Sequence, residues 1–287
     1  MARPRGYITW NPQPHVQIII DQINEIIADN VEYLPISLRQ MFYLGVSAYG
    51  WPKTEKFYKN RLGEYLNRAR RSGLIAFDAI RDDGITKERT TVWDSEAEFH
   101  NSIRFWADTF KLDPMLDQDR DLVVWTEGKG LVPMVRKFVD KYQVQVITSG
   151  GFDGLTVKKQ MADRFRDKPA TILHLGDYDP SGEAMHKALG EDIEALGGDI
   201  DLYRIAVLRT QIEDLGLPTK PPKRVGNSHA ANFDDNITVE LEAVPPPDLQ
   251  AILEIAIEDS LDMETFRETE ARSFEVRKDI FKKMRYI

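Results

Sequence analysis

Cysteine is absent from this 287-residue chain, and histidine occurs only five times. The absence of cysteine excludes a disulfide framework, a thiol nucleophile and a cysteine-based zinc site. The five histidines show neither an HExxH pattern nor close pairing, so we do not expect a histidine-built metal site. No apolar run approaches the length of a membrane span, and the first ten residues lack the apolar core of a signal peptide. We therefore expect a soluble, cytoplasmic protein without a membrane partner.

An excess of positive charge is also lacking. The chain carries 38 Lys and Arg against 47 Asp and Glu, which gives a formal net charge of −9. The isoelectric point calculated from the sequence is about 5.2. Taken alone, this balance argues against nucleic acid as a partner.

The basic residues are nevertheless concentrated in one segment. From residue 53 to residue 81 there are eight basic and three acidic side chains, a local charge of +5. Such a segment can attract a polyanion, although an ordinary solvated helix face has the same composition. The candidate contacts to nucleic acid are Lys53, Lys56, Lys59, Arg61, Arg68, Arg70 and Arg71.

Acidic residues follow two short apolar runs in the second half of the chain. Residues 121–126 stop at Glu127, and residues 170–176 stop at Asp177 and Asp179. In an open α/β sheet, ligands bind outside the carboxyl ends of the strands, so these acids can converge on one site. Side chains two apart in extended chain point to the same side, which lets both aspartates face one cation. Alternatively, Asp179 only caps the following helix and Asp177 is solvated.

The order of the predicted elements favours a shared site. Apolar runs alternate with helical periodicity and short connections, which predicts a βαβαβαβ series, a mostly parallel sheet and the α/β fold class. The strands are predicted at 121–126, 144–149, 170–176 and 202–208, and the helices at 131–142, 155–166 and 181–196.

The motifs in this segment carry a family resemblance. With "TEGKG" after the first strand and "GDYDPSGE" after the third, the segment resembles the Toprim domain of topoisomerases, bacterial primases and certain nucleases. The resemblance implies a Rossmann-like sheet and Mg²⁺, or Mn²⁺, held by Glu127, Asp177 and Asp179. Lys129 is either a phosphate contact or a solvated lysine. Glu183 either joins the metal site or is a solvated acid in the first turn of its helix.

The first half of the chain has a different pattern. Helical spacing and capping residues predict helices at 15–28, from Ser37 to Gly50 and from Thr54 to Gly73. Residues 74–80 and 88–94 then predict a β-hairpin with Asp83-Gly84 at its tip. Three helices and a hairpin form the winged-helix pattern, a relative of the helix-turn-helix in which one helix enters the major groove of DNA. Some winged helices bind protein instead, but the basic third helix favours DNA.

These patterns divide the chain into two domains. Residues 1–110 are predicted as a winged-helix domain, and residues 120–287 as a Toprim domain with a C-terminal helical extension suited to packing or dimerisation. Residues 209–236 are predicted as a long surface loop able to cover the site. Residues 237–244 alternate like a half-buried strand, whose Glu240 and Glu242 either add to the metal site or form an exposed polar face.

The combination of the two domains resembles the A subunit of type IIB topoisomerase (topoisomerase VI) and the related meiotic double-strand-break proteins. That family carries an Arg-x-x-Tyr-Tyr motif whose second Tyr is the nucleophile, and Arg39, Phe42 and Tyr43 stand at the matching positions. The first Tyr of the pair is Phe here. The resemblance implies cleavage of double-stranded DNA through a 5′-phosphotyrosyl link. It also implies a homodimer in which the Tyr and the metal come from different subunits, and a separate ATP-binding B-type partner.

The chemistry expected of such a site needs several groups together. A tyrosine hydroxyl, with a pKa of about 10, is a weak nucleophile at neutral pH and needs a base, a metal or a cation nearby. Arg39 lies four residues before Tyr43, on the same helical face, and can hold the same phosphate. Two alternatives remain open. The chain is a Toprim nuclease that uses metal-activated water, with Tyr43 structural, or a DNA-binding module without catalysis.

Overall fold

The computed structural model describes residues 7–81, 90–148, 155–222 and 233–284. The α-helices in these ranges are α1 Pro14–Asp29, α2 Leu38–Tyr49, α3 Gly63–Ser72, α4 Glu96–Asp108, α5 Val132–Val139, α6 Leu155–Asp167, α7 Pro180–Ala195, α8 Arg209–Asp214, α9 Pro246–Ser260 and α10 Met263–Met284. The strands are β1 Ile36–Ser37, β2 Ile80–Arg81, β3 Asp121–Thr126, β4 Gln145–Thr148, β5 Ala170–Leu175 and β6 Ile200–Ala206. None of the helices in the described ranges is long and apolar enough to cross a membrane.

The N-terminal helices begin and end at residues that favour those positions. Ser37 Oγ accepts a hydrogen bond from Gln40 N at 3.2 Å, and the Gln40 side chain accepts one from Ser37 N at 2.9 Å, which forms a capping box for α2. Gly50 and Gly73 end α2 and α3 with φ angles of 63° and 76°, which favour glycine. A π-helical stretch, Lys56–Leu62, leads directly into α3. The three predicted N-terminal helices are therefore confirmed.

The prediction of a strand over residues 74–80 was wrong. Phe77–Ala79 form a 3-10 turn, and within residues 74–81 only β2 (Ile80–Arg81) pairs with another strand, in parallel with β1. Ile75 and Ile80 are buried with the helices in one hydrophobic cluster, so their burial does not require a two-stranded ribbon. Residues 90–94 form no strand. The predicted hairpin tip, Asp83-Gly84, lies outside the described residues.

The second half of the chain contains a four-stranded sheet in the order β4-β3-β5-β6, with every neighbouring pair parallel. This confirms the predicted parallel sheet. Every residue of β3 and β5, the two central strands, is buried. Continuous burial is expected where helices cover both faces of a parallel sheet. The structure therefore belongs to the α/β class.

Helices cover the two faces of the sheet in pairs. α5 and α9 pack on one face, and α6 and α7 pack on the other. The hydrophobic cluster on the face of α5 and α9 continues into the N-terminal helices, so that Ile20 and Met41 share one core with Leu173 and Leu253. This continuity fixes α2 against the sheet-containing half of the chain.

The C-terminal connection differs from its prediction in two places. Residues 209–236 were predicted as loop, but α8 opens this segment, and residues 223–232 lie outside the described ranges. The strand predicted at 237–244 is reduced to isolated bridges at Thr238 and Val239, followed by a 3-10 turn at Leu241–Ala243. The apolar residues of this segment are buried in the hydrophobic cluster that includes the N-terminal helices, and the turn packs against α2.

Truncation of a central strand tests the fold. Ile172 in β5 is fully buried between the sheet and its helices, and Ile172→Ala removes three buried carbon atoms. We expect a loss of about 2–5 kcal/mol in the free energy of unfolding, measured by urea denaturation. Ile255→Ala is the control because Ile255 is 63% exposed on α9, and it should change the same quantity by less than about 0.5 kcal/mol. Equal effects of the two substitutions would contradict the described core.

Candidate active site

Carboxylates from two neighbouring strands lie at the carboxyl edge of the sheet. Glu127 directly follows β3, and Asp177 lies two residues after the end of β5. The two strands pair in parallel with Thr126 beside Leu175, and Glu127 N donates to Leu175 O at 3.1 Å. The strand order reverses between β3 and β5, which is where ligands bind in open α/β sheets. The predicted convergence of these acids is therefore supported by the topology.

The turn that carries the two aspartates is held by several hydrogen bonds. Asp179 Oδ1 accepts from Ser181 N at 2.9 Å and from Gly182 N at 2.8 Å, so Asp179 caps α7. Asp177 Oδ1 accepts from Leu241 N at 2.8 Å. The capping role proposed as an alternative for Asp179 is thus real, whereas Asp177 is bonded to the C-terminal segment instead of being simply solvated.

Glycine allows the close packing of this turn. A Cβ atom at Gly182 would lie 2.2 Å from the carbonyl oxygen of Asp177, a separation that forces the backbone apart. A Cβ atom at Gly176 would lie 2.3 Å from Glu127 Oε1. Both glycines therefore let backbone and carboxylate approach more closely than any side chain would permit.

The acidic groups at this edge destabilise one another in their charged forms. Burial, together with the charge of Asp177, raises the pKa of Glu127 to about 8. Burial, together with the charge of Glu242, raises the pKa of Asp177 to about 7. Acidic groups are therefore concentrated here without enough nearby positive charge to keep all of them ionised near neutral pH.

The donor chemistry of this cluster fits a hard divalent cation. Glu127 Oε1 is buried without a hydrogen-bond partner in the described chain. It lies 3.4 Å from Nε2 of His174, whose pKa is lowered well below its usual value by burial. Carboxylate oxygens are the ligands that Mg²⁺ prefers. In the described residues, however, no three acidic or histidine side chains are arranged as a ready-made metal site, so holding an ion requires side chains to turn toward it.

Tyr43 lies in a second, cationic part of the site. Its side chain is on α2 and only 4% exposed. It lines an open cavity of about 130 Å³ together with Arg39, Lys53, Lys220 and Glu240. Lys53 Nζ is 5.3 Å from the centre of the Tyr43 ring and donates to the carbonyl oxygen of Pro218 at 2.5 Å. The structure therefore brings Arg39 and Tyr43 together, as their spacing predicted.

Glu240 occupies the centre of this cationic group. One of its carboxylate oxygens is 3.2 Å from Arg39 Nη1, and the other accepts a hydrogen bond from Lys220. Its side chain is 17% exposed and that of Glu242 is 10% exposed. The interpretation of these two glutamates as an exposed polar face was therefore wrong. They face inward because α2 packs against the turn at Leu241–Ala243, which contains Glu242 and directly follows Glu240.

Tyr43 is neutral in this setting. Burial, together with the charge of Glu240 and a hydrogen bond to it, raises the pKa of Tyr43 far above its ordinary value, while Arg39 acts in the opposite direction. Burial, together with the charge of Lys220, lowers the pKa of Lys53 to about 8. A nucleophilic Tyr43 would therefore need its proton removed during attack.

One short segment joins the two parts of the site within a single chain. Val239 and Tyr178 exchange backbone hydrogen bonds of 2.8 and 3.0 Å, so the segment pairs with the residue between the two aspartates. Leu241 N binds Asp177, and Glu240 between them reaches Arg39. The carboxylates and Tyr43 are thus neighbours through this segment.

The predicted basic contacts differ in their surroundings. Four of these side chains bind groups of residues 55–72 or of the 3-10 turn that follows: Lys59, Arg68, Arg70 and Arg71. Lys53 instead lines the Tyr43 cavity. Lys56 and Arg61 are exposed on the π-helical stretch. Of the remaining predicted site residues, Lys129 is exposed, and Glu183 pairs with Arg204 at 3.4 Å.

Sequence reasoning missed two cations of the site. Lys220 follows a Pro-containing stretch with no periodicity, and Arg204 lies inside β6 among apolar residues. The side chain of Arg204 is only 8% exposed in the structure. In the sequence, the signal that could have identified it is a charged residue within a mostly apolar strand, because arginine is rarely buried.

Comparison with protein-family models gives no match, and comparison with curated proteins gives none either. The fold and site define an α/β protein with an acidic cluster at the edge of a parallel sheet beside a buried tyrosine.

The acidic cluster predicts a pH-dependent stability. Between about pH 4 and pH 8 the folded state keeps protons on Glu127 and Asp177 that the unfolded state has released. The free energy of unfolding should therefore fall across this range, by on the order of a few kcal/mol. Asp177→Asn should reduce the fall, and Mn²⁺ at pH 8 should restore stability to the wild-type chain but not to the variant. Thermal unfolding followed by circular dichroism measures both effects; identical pH profiles would contradict the described cluster.

Proposed function

We propose that this protein cleaves double-stranded DNA in a Mg²⁺-dependent reaction in which Tyr43 attacks a backbone phosphate. The observation that carries the proposal is the placement of Tyr43 in an open cavity with Arg39, Lys53 and Lys220, next to the segment that binds Asp177. The resemblance to the type IIB topoisomerase A subunit supports the same reaction. It also makes a homodimer and a separate ATP-binding B-type subunit the proposed partners. The resemblance implies a Tyr and a metal from different subunits, whereas the proposed reaction uses Tyr43 and the carboxylates of one chain.

The cations of the cavity would bind and orient the phosphate. Arg39 presents a guanidinium that can pair with two phosphate oxygens, and Lys53 and Lys220 supply point charges beside it. Glu240 holds Arg39 and Lys220 in the DNA-free protein. A phosphate that reaches Tyr43 must therefore share these cations with Glu240 or displace it.

Glu127, Asp177 and Asp179 would hold the metal ion, with Mn²⁺ able to replace Mg²⁺. When bound, the ion supplies stabilisation of the negative charge that develops on the phosphate oxygens and on the leaving 3′ oxygen. In the proposed step the Tyr43 oxygen bonds to phosphorus and loses its proton to solvent, while the bond to the 3′ oxygen breaks and that oxygen takes up a proton from solvent. The product is a 5′-phosphotyrosyl link with a free 3′ hydroxyl.

A hydrolytic nuclease is the second candidate. The 4% exposure of Tyr43 and its raised pKa favour it, because a buried neutral phenol is a poor nucleophile. In this case the carboxylates and metal would activate water, and Tyr43 would be a packing residue. A DNA-binding module without turnover is the third outcome of the experiment below.

Covalent capture on end-labelled duplex DNA distinguishes the candidates. Wild-type protein with Mg²⁺ or Mn²⁺, stopped with detergent, should carry label from the 3′ end of the cut strand and none from its 5′ end, because the link is 5′-phosphotyrosyl. Tyr43→Phe and Asp177→Asn should both reduce the adduct below detection. Tyr49→Phe is the matched control, since Tyr49 lies at the far end of α2 and its hydroxyl donates to Glu25 at 2.6 Å.

Each other result selects another function. Cutting without adduct, retained in Tyr43→Phe and lost in Asp177→Asn, would identify a hydrolytic nuclease. Salt-sensitive binding without any metal-dependent cutting would identify a non-catalytic module.

The exposed side chains of Lys56 and Arg61, on the π-helical stretch, predict that DNA binding depends on salt concentration. Combined Lys56→Gln and Arg61→Gln substitutions should weaken DNA binding for all sequences and reduce the slope of log K against log salt concentration by about 2. Fluorescence anisotropy at several salt concentrations measures the slope. Lys282→Gln with Lys283→Gln at the end of α10 is the charge-matched control and should leave the slope unchanged. Equal losses in both pairs would indicate a general charge effect instead of a binding surface.

A further inference from the structure

Arg204 is a buried cation that sequence reasoning did not assign to any role. It lies on the edge strand β6, opposite His174 in the ladder, and its side chain is 8% exposed. A buried arginine is costly unless most of its donors are bonded and its charge is compensated. In Arg204, Nε and Nη2 donate hydrogen bonds, and Nη1 has no hydrogen-bond partner among the described residues. Its partners therefore indicate what it does.

The guanidinium binds backbone carbonyl groups at the ends of two strands. Nη2 donates to Gly176 O at 3.2 Å and to Asp177 O, and Nε donates to Val207 O at 3.3 Å. Nη1 is 3.4 Å from the carboxylate of Glu183 in the first turn of α7. One planar side chain thus connects the turn after β5, the turn after β6 and the start of α7.

These partners surround the carboxylates on which metal binding depends. Gly176 and Asp177 are the first residues after β5, and their carbonyl groups set the direction in which the turn leaves the strand. Hydrogen bonds from a guanidinium to carbonyl groups are charge-assisted and directional. Lysine offers a charge at the same place but cannot bridge carbonyl groups with a rigid fork.

We propose that Arg204 is the positioning residue of the acidic site, holding the backbone of the turn of Asp177 and Asp179 in place so that only their side chains have to turn to bind the divalent cation. The inference rests on the metal site of the proposed function. The positive charge of Arg204 has the opposite effect on metal affinity, because a fixed cation beside the site repels a metal ion. Geometry and charge therefore make opposite predictions for substitutions of this residue.

Mn²⁺ affinity of the full chain, measured by titration calorimetry at pH 8, separates the two effects. If the fork positions the turn, Arg204→Lys and Arg204→Gln should both weaken Mn²⁺ binding by about 10-fold or more. If only the charge matters, Arg204→Lys should bind like wild type and Arg204→Gln more tightly, which would overturn the proposal. Arg120→Lys is the matched control at the opposite end of β5, where Arg120 Nη2 donates to Ala170 O at 3.0 Å. This control should leave the affinity unchanged.

Hydrogen exchange of the metal-free protein tests the positioning role without any metal. The amides of Gly176 and Asp179 donate to Ala206 O at 2.8 Å and to Asp177 O at 3.0 Å, so they report on the order of the turn. In Arg204→Lys these two amides should exchange faster, while amides in the centre of β3 keep their protection. Unchanged exchange at the turn would overturn the proposal. If wild type bound no Mn²⁺ yet the turn loosened in Arg204→Lys, the metal assignment would fail and the positioning of the turn would stand.

Discussion

The parallel pairing of β3 with β5 is the constraint on which the candidate site depends. It places Thr126 beside Leu175, so the chain leaves both strands at the same edge and the following carboxylates meet there. Because both strands are buried along their whole length, Glu127 and Asp177 are drawn out of water with them. The free-energy cost of burying these carboxylates appears as a pKa of about 8 for Glu127 and of about 7 for Asp177. Ionisable groups whose pKa is shifted by burial in a rigid scaffold are typical of functional sites.

The packing of α2 against the turn at Leu241–Ala243 supplies the second half of the arrangement. It brings Arg39 and Tyr43, from the first fifty residues, to Glu240, which comes two hundred residues later in the chain. The same turn binds Asp177 through Leu241 N. Cations that suit a phosphate and carboxylates that suit a metal are therefore coupled through one segment.

Several parts of this arrangement were predictable from local rules. The capping residue Ser37 and the glycines that end α2 and α3 define helix boundaries by short-range hydrogen bonding and backbone sterics. The two central strands of the sheet were predictable because buried parallel strands are continuous apolar runs. The strand predictions at 74–80 and 237–244 failed because short apolar alternation is equally compatible with a turn that packs on neighbouring helices.

The sequence by itself determined the parallel sheet, the identity of the acids that follow its strands, and the shared helical face of Arg39 and Tyr43. These features depend on periodicity, strand direction and spacing, all of which act over a few residues. Only the tertiary structure decided the burial of Tyr43, the inward position of Glu240 and the contacts of Lys220 and Arg204. These features depend on how distant segments pack and on which charges thereby lose water, and neither is encoded in local spacing.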